Sequence, residues 1–132
     1  MRFFLDNCLS PRYAESLDIL SANYGHSVTH LGQRFGRNVT DQYWIRELRS
    51  EGDWVIVSGD SRIATSPPLK AIWLESGLTA FFLDRGWMNI RYWEQIALLV
   101  KWWPEILHTA QKFEAGSGFV IPCRGHRLKI IR

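Results

Sequence analysis

Cysteine is scarce in this chain. Cys8 and Cys123 are the only two in 132 residues, too few for a disulfide framework, so a reducing cytoplasm is the expected setting. Long hydrophobic runs are missing as well. Uncharged apolar stretches such as Gln95 to Val100 fall far short of a bilayer's thickness. Met1-Arg2-Phe3 opens directly into strand-like sequence, so neither a signal peptide nor a transmembrane helix is expected, and no membrane partner. There is no internal repeat and no low-complexity tract. His26, His30, His108 and His126 show no tight zinc spacing, and neither cysteine has a neighbouring partner. No Walker loop, G-x-S-x-G elbow or G-x-G-x-x-G turn is present. Acidic residues stop at Glu114, while Arg124, Arg127, Lys129 and Arg132 follow it.

The remaining composition is that of a folded domain. Hydrophobic residues make up 46% and charged residues 22%, which excludes a disordered chain. A chain of this length buries roughly two-thirds of its unfolded surface without a covalent staple. One domain over residues 1–132 is expected, ending in a basic tail over 124–132. The net charge of +3 and pI near 9.1 say little about a polyanionic partner. The distribution says more, because arginine outnumbers lysine and its forked guanidinium suits phosphate. A merely solvated basic tail is the plainer reading.

Short apolar runs alternate with helical stretches. Phe3-Phe4-Leu5 reads as a buried strand ending at Asp6. Ser10-Pro11 then supplies a cap and a first-turn proline, Tyr13, Ala14, Leu17 and Leu20 an apolar stripe, and Gly25 a stop. His26 to Leu31 reads as a second strand and Gly32 to Asn38 as a loop. Thr40 caps a helix running to about Glu51. Trp54-Val55-Ile56-Val57 is the clearest strand, ending in Ser58-Gly59-Asp60. Pro67-Pro68 breaks the chain before a short helix over Leu69 to Glu75, and Leu78 to Leu83 is a fourth strand ending at Asp84. From Asn89 a long helix begins, which Pro104 either kinks or restarts. Phe119-Val120-Ile121 and Leu128-Lys129-Ile130 suit short edge strands or a hairpin.

This alternation predicts an α/β fold with a mostly parallel central sheet covered on both faces. Right-handed crossovers leave few topologies, and ligands in such sheets sit at the carboxyl ends of strands where the strand order reverses. In a 2-1-3-4 order, Asp6 and Asp60 meet at that point. Asp41, in the first turn of the second helix, starts from the same rim. Three carboxylates held close repel one another, and a hard divalent cation resolves the repulsion. Such an ion polarises a phosphoryl oxygen and lowers the pKa of bound water. Each acid also has a purely structural reading. Asp41 suits a helix dipole, Asp60 caps the turn at Ser61-Arg62-Ile63, and Asp6 bonds its own loop. Glu47 lies about 240° around the helix from Asp41 and shares no ion with it. Asp84 stands one strand further out, and Asn7 suits a turn. Trp87 has two readings, stacking on a base or packing against the long helix.

Phe3-Phe4-Leu5-Asp6-Asn7-Cys8-Leu9-Ser10 resembles the opening of PIN-like ribonuclease domains. Val39-Thr40-Asp41-Gln42-Tyr43-Trp44-Ile45 is similar to their segment in which an Asp opens a helix. Val55-Ile56-Val57-Ser58-Gly59-Asp60 resembles their strand followed by Ser/Thr-x-Asp. Phe81-Phe82-Leu83, Gly86-Trp87 and Trp93-Glu94-Gln95 are similar to a compact subgroup related to VapC-type toxins, and the likeness runs from Met1 to about Arg124.

The resemblance implies a PIN-like three-layer sandwich, with a long C-terminal helix and short edge strands. It also implies a metal-dependent endoribonuclease, the toxin of a bacterial toxin–antitoxin pair. Such toxins use magnesium or manganese, cut structured RNA, often form homodimers and are occluded by a cognate antitoxin. By position, Asp6, Asp41 and Asp60 are the catalytic and metal-binding acids. Larger PIN domains carry a fourth acid for which this chain has no equivalent, since Glu15 and Asp18 lie on the first helix. Arg34, Arg37, Arg124 and Arg127 are the expected RNA-backbone contacts. Two alternatives keep the topology. One is a non-catalytic PIN-like module binding RNA or protein. The other is a phospho-acceptor receiver domain, which normally pairs two acids at its first strand, where this chain has Asp6-Asn7.

Overall fold

The computed structural model describes residues 1–36 and 38–131. One six-stranded sheet has the order β2-β1-β3-β4-β5-β6. Its strands are β1 (Arg2–Leu5), β2 (Ser27–His30), β3 (Trp54–Ser58), β4 (Thr79–Leu83), β5 (Gly118–Ile121) and β6 (Lys129–Ile131). The first five run parallel and β6 pairs antiparallel with β5. The expected 2-1-3-4 order therefore forms the first two-thirds of the sheet. Central strands buried on both faces need unbroken apolar sequence, and every residue of β3 and β4 is buried.

Alternation along the strands feeds two cores. Phe3, Leu5, Val55, Val57, Phe81 and Leu83 face α1 (Pro11–Ser21) and α6 (Tyr92–Lys112). Phe4, Ile56, Ala80 and Phe82 face α3 (Asp41–Glu51) and α5 (Pro67–Ser76), through Trp44, Ile45, Leu48 and Trp73. Three layers result, as the resemblance implied. The loop expected over Gly32 to Asn38 contains a single helical turn, α2 (Leu31–Arg34). The side chain of His30 caps it, accepting from the Gly32 amide at 2.9 Å while the Gln33 side chain accepts from the His30 amide at 3.0 Å. Histidine is not among the usual capping residues, so pattern reading passes over this turn. A second turn, α4 (Arg62–Thr65), follows β3.

The other caps fall where expected. The Ser10 hydroxyl accepts from the Arg12 amide and the Thr40 hydroxyl from the Tyr43 amide, both at 3.2 Å. Pro67-Pro68 opens α5 instead of preceding it, because a helix's first turn needs no proline N–H. The long helix begins at Tyr92, after a 3-10 turn over Arg85–Asn89. It runs unbroken through Pro104, flanked by buried Trp102, Trp103 and Ile106, so no fresh helix starts there. Packing along both sides outweighs the one hydrogen bond that proline removes. The tail forms the β5–β6 edge, with Leu128 packed against the core.

Candidate active site

Asp6 follows β1 at the point where the chain turns to β2 on one side and β3 on the other. It is 3% exposed. Its Oδ1 accepts from the Cys8 and Gly59 amides, each at 3.2 Å, and its Oδ2 accepts from the Ser58 hydroxyl. The same hydroxyl accepts from the Asp60 amide at 2.9 Å. Ser58 thus ties the end of β1 to the loop that carries Asp60. This approach depends on Gly59, where a Cβ would stand 2.6 Å from that of Cys8. Even with three donors, burial pushes the Asp6 pKa up to about 6, and the negative charge of Asp41 adds to the rise.

Asp41 opens α3, and its Oδ1 accepts from the Trp44 indole N–H at 3.0 Å. Asp60 lies past β3. Its Oδ1 accepts from the Arg62 amide at 3.0 Å and from Arg62 Nε at 2.9 Å, and its Oδ2 accepts from Arg62 Nη2 at 2.6 Å. Hydrogen bonding from the Arg62 side chain holds the Asp60 carboxyl below its usual range. Asp6, Asn7, Thr40, Asp41, Asp60 and Arg62 line one open cleft of about 580 Å³. Three acids from three separate segments therefore share a cavity, as the strand order predicted. Their combined field reaches Cys8, whose thiol is pushed up to about 12, first by burial and then by Asp6, Asp60 and Asp41.

A family model described as a PIN-like domain matches residues 1–85. The chain belongs to this PIN-like family. PIN-like domains are often nucleases, and the matched span holds every residue that lines the cleft. No curated protein and no solved structure matches the chain. Carboxylate oxygens are the donors that hard cations take. Among the described residues no three of His, Cys, Asp and Glu stand close enough to hold a metal ion by themselves.

The expected RNA contacts are dispersed. Arg34 lies outside the cleft, paired with Glu51 and stacked over Phe35 and Trp54. A nearby acid and two aromatic faces hold it there, and sequence spacing does not reveal them. Arg37 lies outside the described residues. Arg124 and Arg127 are exposed in the β5–β6 connection, beyond the carboxyl end of β5, and do not line the cleft. Asp84 is structural: its two oxygens accept from the Gly86 and Cys123 amides at 3.1 and 3.2 Å. Trp87 is fully buried and donates to the Ile121 carbonyl at 2.8 Å, so packing, not base stacking, is its role in this fold. Glu47 does not line the cleft. Sequence reading gave Ser58 and Arg62 no role of their own. The Ser-x-Asp-x-Arg spacing of Ser58, Asp60 and Arg62 was the available signal. No described helix is long and apolar enough to cross a membrane.

Proposed function

We propose that this PIN-like protein is a metal-dependent endoribonuclease that hydrolyses RNA phosphodiester bonds at the Asp6–Asp41–Asp60 cleft. The observation that carries the reading is the convergence of those three carboxylates, from three separate chain segments, at the strand-order reversal. Burial keeps Asp6 poorly solvated and short of positive partners, and the Cys8 thiol registers the negative field of all three acids. One or two of Asp6, Asp41 and Asp60, with water in the remaining positions, would hold Mg²⁺ or Mn²⁺. The bound ion would supply Lewis-acid polarisation of a phosphoryl oxygen and a more acidic water. Ser58 orients Asp6 by donating to Oδ2, while the Cys8 and Gly59 amides fix Oδ1. Trp44 holds Asp41 by its indole N–H. Arg124 and Arg127, on the same end of the sheet, would contact RNA phosphates away from the cut. We further propose, from the resemblance of Phe81-Phe82-Leu83, Gly86-Trp87 and Trp93-Glu94-Gln95 to a compact VapC-related subgroup, that this is the toxin of a toxin–antitoxin pair, held inactive by an antitoxin protein over the cleft.

A non-catalytic PIN-like module that binds RNA or protein is the second reading, and the Arg62–Asp60 pairing favours it. One experiment separates the two. Purified protein is incubated with total cellular RNA in Mg²⁺ or Mn²⁺, in EDTA, and with Asp6→Asn beside wild type. Discrete metal-dependent cuts that vanish in the variant establish the nuclease. Absence of cutting together with absence of metal binding overturns the nuclease and favours the binding module.

A further inference from the structure

Arg62 is the one arginine among the described residues that lines the acidic cleft. Its guanidinium grips both oxygens of Asp60, with Nε 2.9 Å from Oδ1 and 3.2 Å from Oδ2, and Nη2 2.6 Å from Oδ2. The side chain is 72% exposed while that of Asp60 is 11% exposed. An accessible, long and flexible cation therefore covers a carboxylate that is mostly withdrawn from water. The backbone does not depend on this contact. Asp60 caps the Arg62 amide through Oδ1, and the turn keeps its remaining bonds, in which the Ile63, Ala64 and Ser66 amides donate to the Asp60, Ser61 and Arg62 carbonyls. The guanidinium can leave without unfolding the turn. A forked donor that fits a carboxylate also fits two phosphate oxygens.

We propose that Arg62 is an internal counter-cation that a divalent ion displaces from Asp60, after which its freed guanidinium holds an RNA phosphate in the cleft. The inference rests on the nuclease reading and adds to it an exchange between two partners of one arginine. Without metal, Arg62 partly neutralises Asp60 and Asp41 and keeps Asp60 oriented. With metal, Asp60 turns to the ion, and Arg62 stands within side-chain reach of any backbone entering past Asp41 and Ser66, which line the same cleft. The exchange makes cation and RNA binding mutually supportive, because each takes a partner the other releases.

The test is isothermal titration of the full chain with Mn²⁺, for wild type, Arg62→Ala, Arg62→Lys and Asp6→Asn. A second measurement follows the salt dependence of binding to a cleavage-resistant 2′-O-methyl RNA oligonucleotide, with and without Mn²⁺. An exposed ion pair is a modest competitor, so Arg62→Ala is expected to bind Mn²⁺ about threefold more tightly than wild type. Arg62→Lys, which keeps the charge and loses the fork, falls between them. In Mn²⁺, Arg62→Ala lowers the salt slope for the oligonucleotide by about 0.7, one single-strand phosphate contact, and without Mn²⁺ it leaves the slope unchanged. A purely structural arginine would not yield tighter metal binding together with a metal-dependent loss of one phosphate contact. If Arg62→Ala binds Mn²⁺ no better than wild type while Asp6→Asn abolishes binding, the exchange is wrong and the metal site stands. If neither wild type nor Arg62→Ala binds Mn²⁺, the nuclease reading and the exchange fall together.

Discussion

At Asp6 a single carboxyl carries opposing demands. Burial favours the neutral form, while Ser58, Gly59 and Cys8 favour the charged one, and burial dominates. The folded pKa therefore lies above the unfolded value, near 3.8 against about 6. Below the unfolded value both states are protonated and the group is neutral toward folding. As pH rises toward 6, the unfolded chain releases its proton first, so Asp6 withdraws stability from the metal-free protein across that window, while His26, held below its ordinary value by burial, acts in the opposite direction. The loss is at most about 3 kcal/mol. In EDTA, Asp6→Asn should flatten that slope and raise the urea midpoint at pH 7. A difference in midpoint between wild type and Asp6→Asn that does not change between pH 4 and 6 would contradict this account. Gly59 makes the second residue-scale prediction. Gly59→Ala pushes a Cβ against Cys8 and should cost about 1–3 kcal/mol, read from chemical unfolding. Cys8→Gly in the same chain should recover part of the loss, since it removes the colliding atom. The sequence marks Asp6 as a site candidate, and the Cys8 amide is a local donor to it, but its other two donors, Ser58 and Gly59, come from β3 and the following loop, about fifty residues away, and no local pattern names them.

Elements set where these residues point. The Thr40 cap fixes the first turn of α3, and that turn carries Asp41 into the cleft. Thr40→Ala should lower stability by about 1 kcal/mol and weaken Mn²⁺ binding, whereas Ser16→Ala, on the outer surface of α1, should leave Mn²⁺ binding unchanged. Equal Mn²⁺ affinity in both variants would separate the cap from the site. The helix that carries Asp41 was legible because its signals are short-range: a hydroxyl before the first turn, apolar residues at three and four, a glycine after the last turn. The turn after β2 was not legible, because its cap is a histidine whose ring also meets the Leu9 carbonyl, 2.7 Å away on the exit from β1. That contact belongs to the pairing of two strands. The course of α6 through Pro104 is likewise decided by its buried neighbours, not by propensity.

Over the whole molecule, the carboxyl end of the sheet collects the acids at β1 and β3 and the exposed Arg124 and Arg127 past β5. Adjacent strands are about 4.8 Å apart, so β5 stands roughly 10 Å from β3, a distance an extended RNA strand spans. Replacing Arg124 and Arg127 together with alanine should reduce the salt slope of single-stranded RNA binding by about 1.4 and leave Mn²⁺ affinity unchanged. An unchanged slope would remove that loop from the RNA path. Arg34 would then have no claim to replace it, because Glu51 and Trp54 already engage it.

The sequence by itself determined the parallel α/β architecture, the caps at Ser10 and Thr40, and the acids at the ends of the first and third strands. These follow from burial pattern and from hydrogen bonds within one turn, interactions that neighbouring residues complete. Only the tertiary structure decided which partner each charged group takes. Arg62 closes on Asp60, Arg34 turns to Glu51, Ser58 joins Asp6 to the Asp60 amide, and Trp87 is buried against β5. Those choices depend on distance and desolvation after strands far apart in the chain are brought side by side, and the order of letters along the chain contains neither quantity.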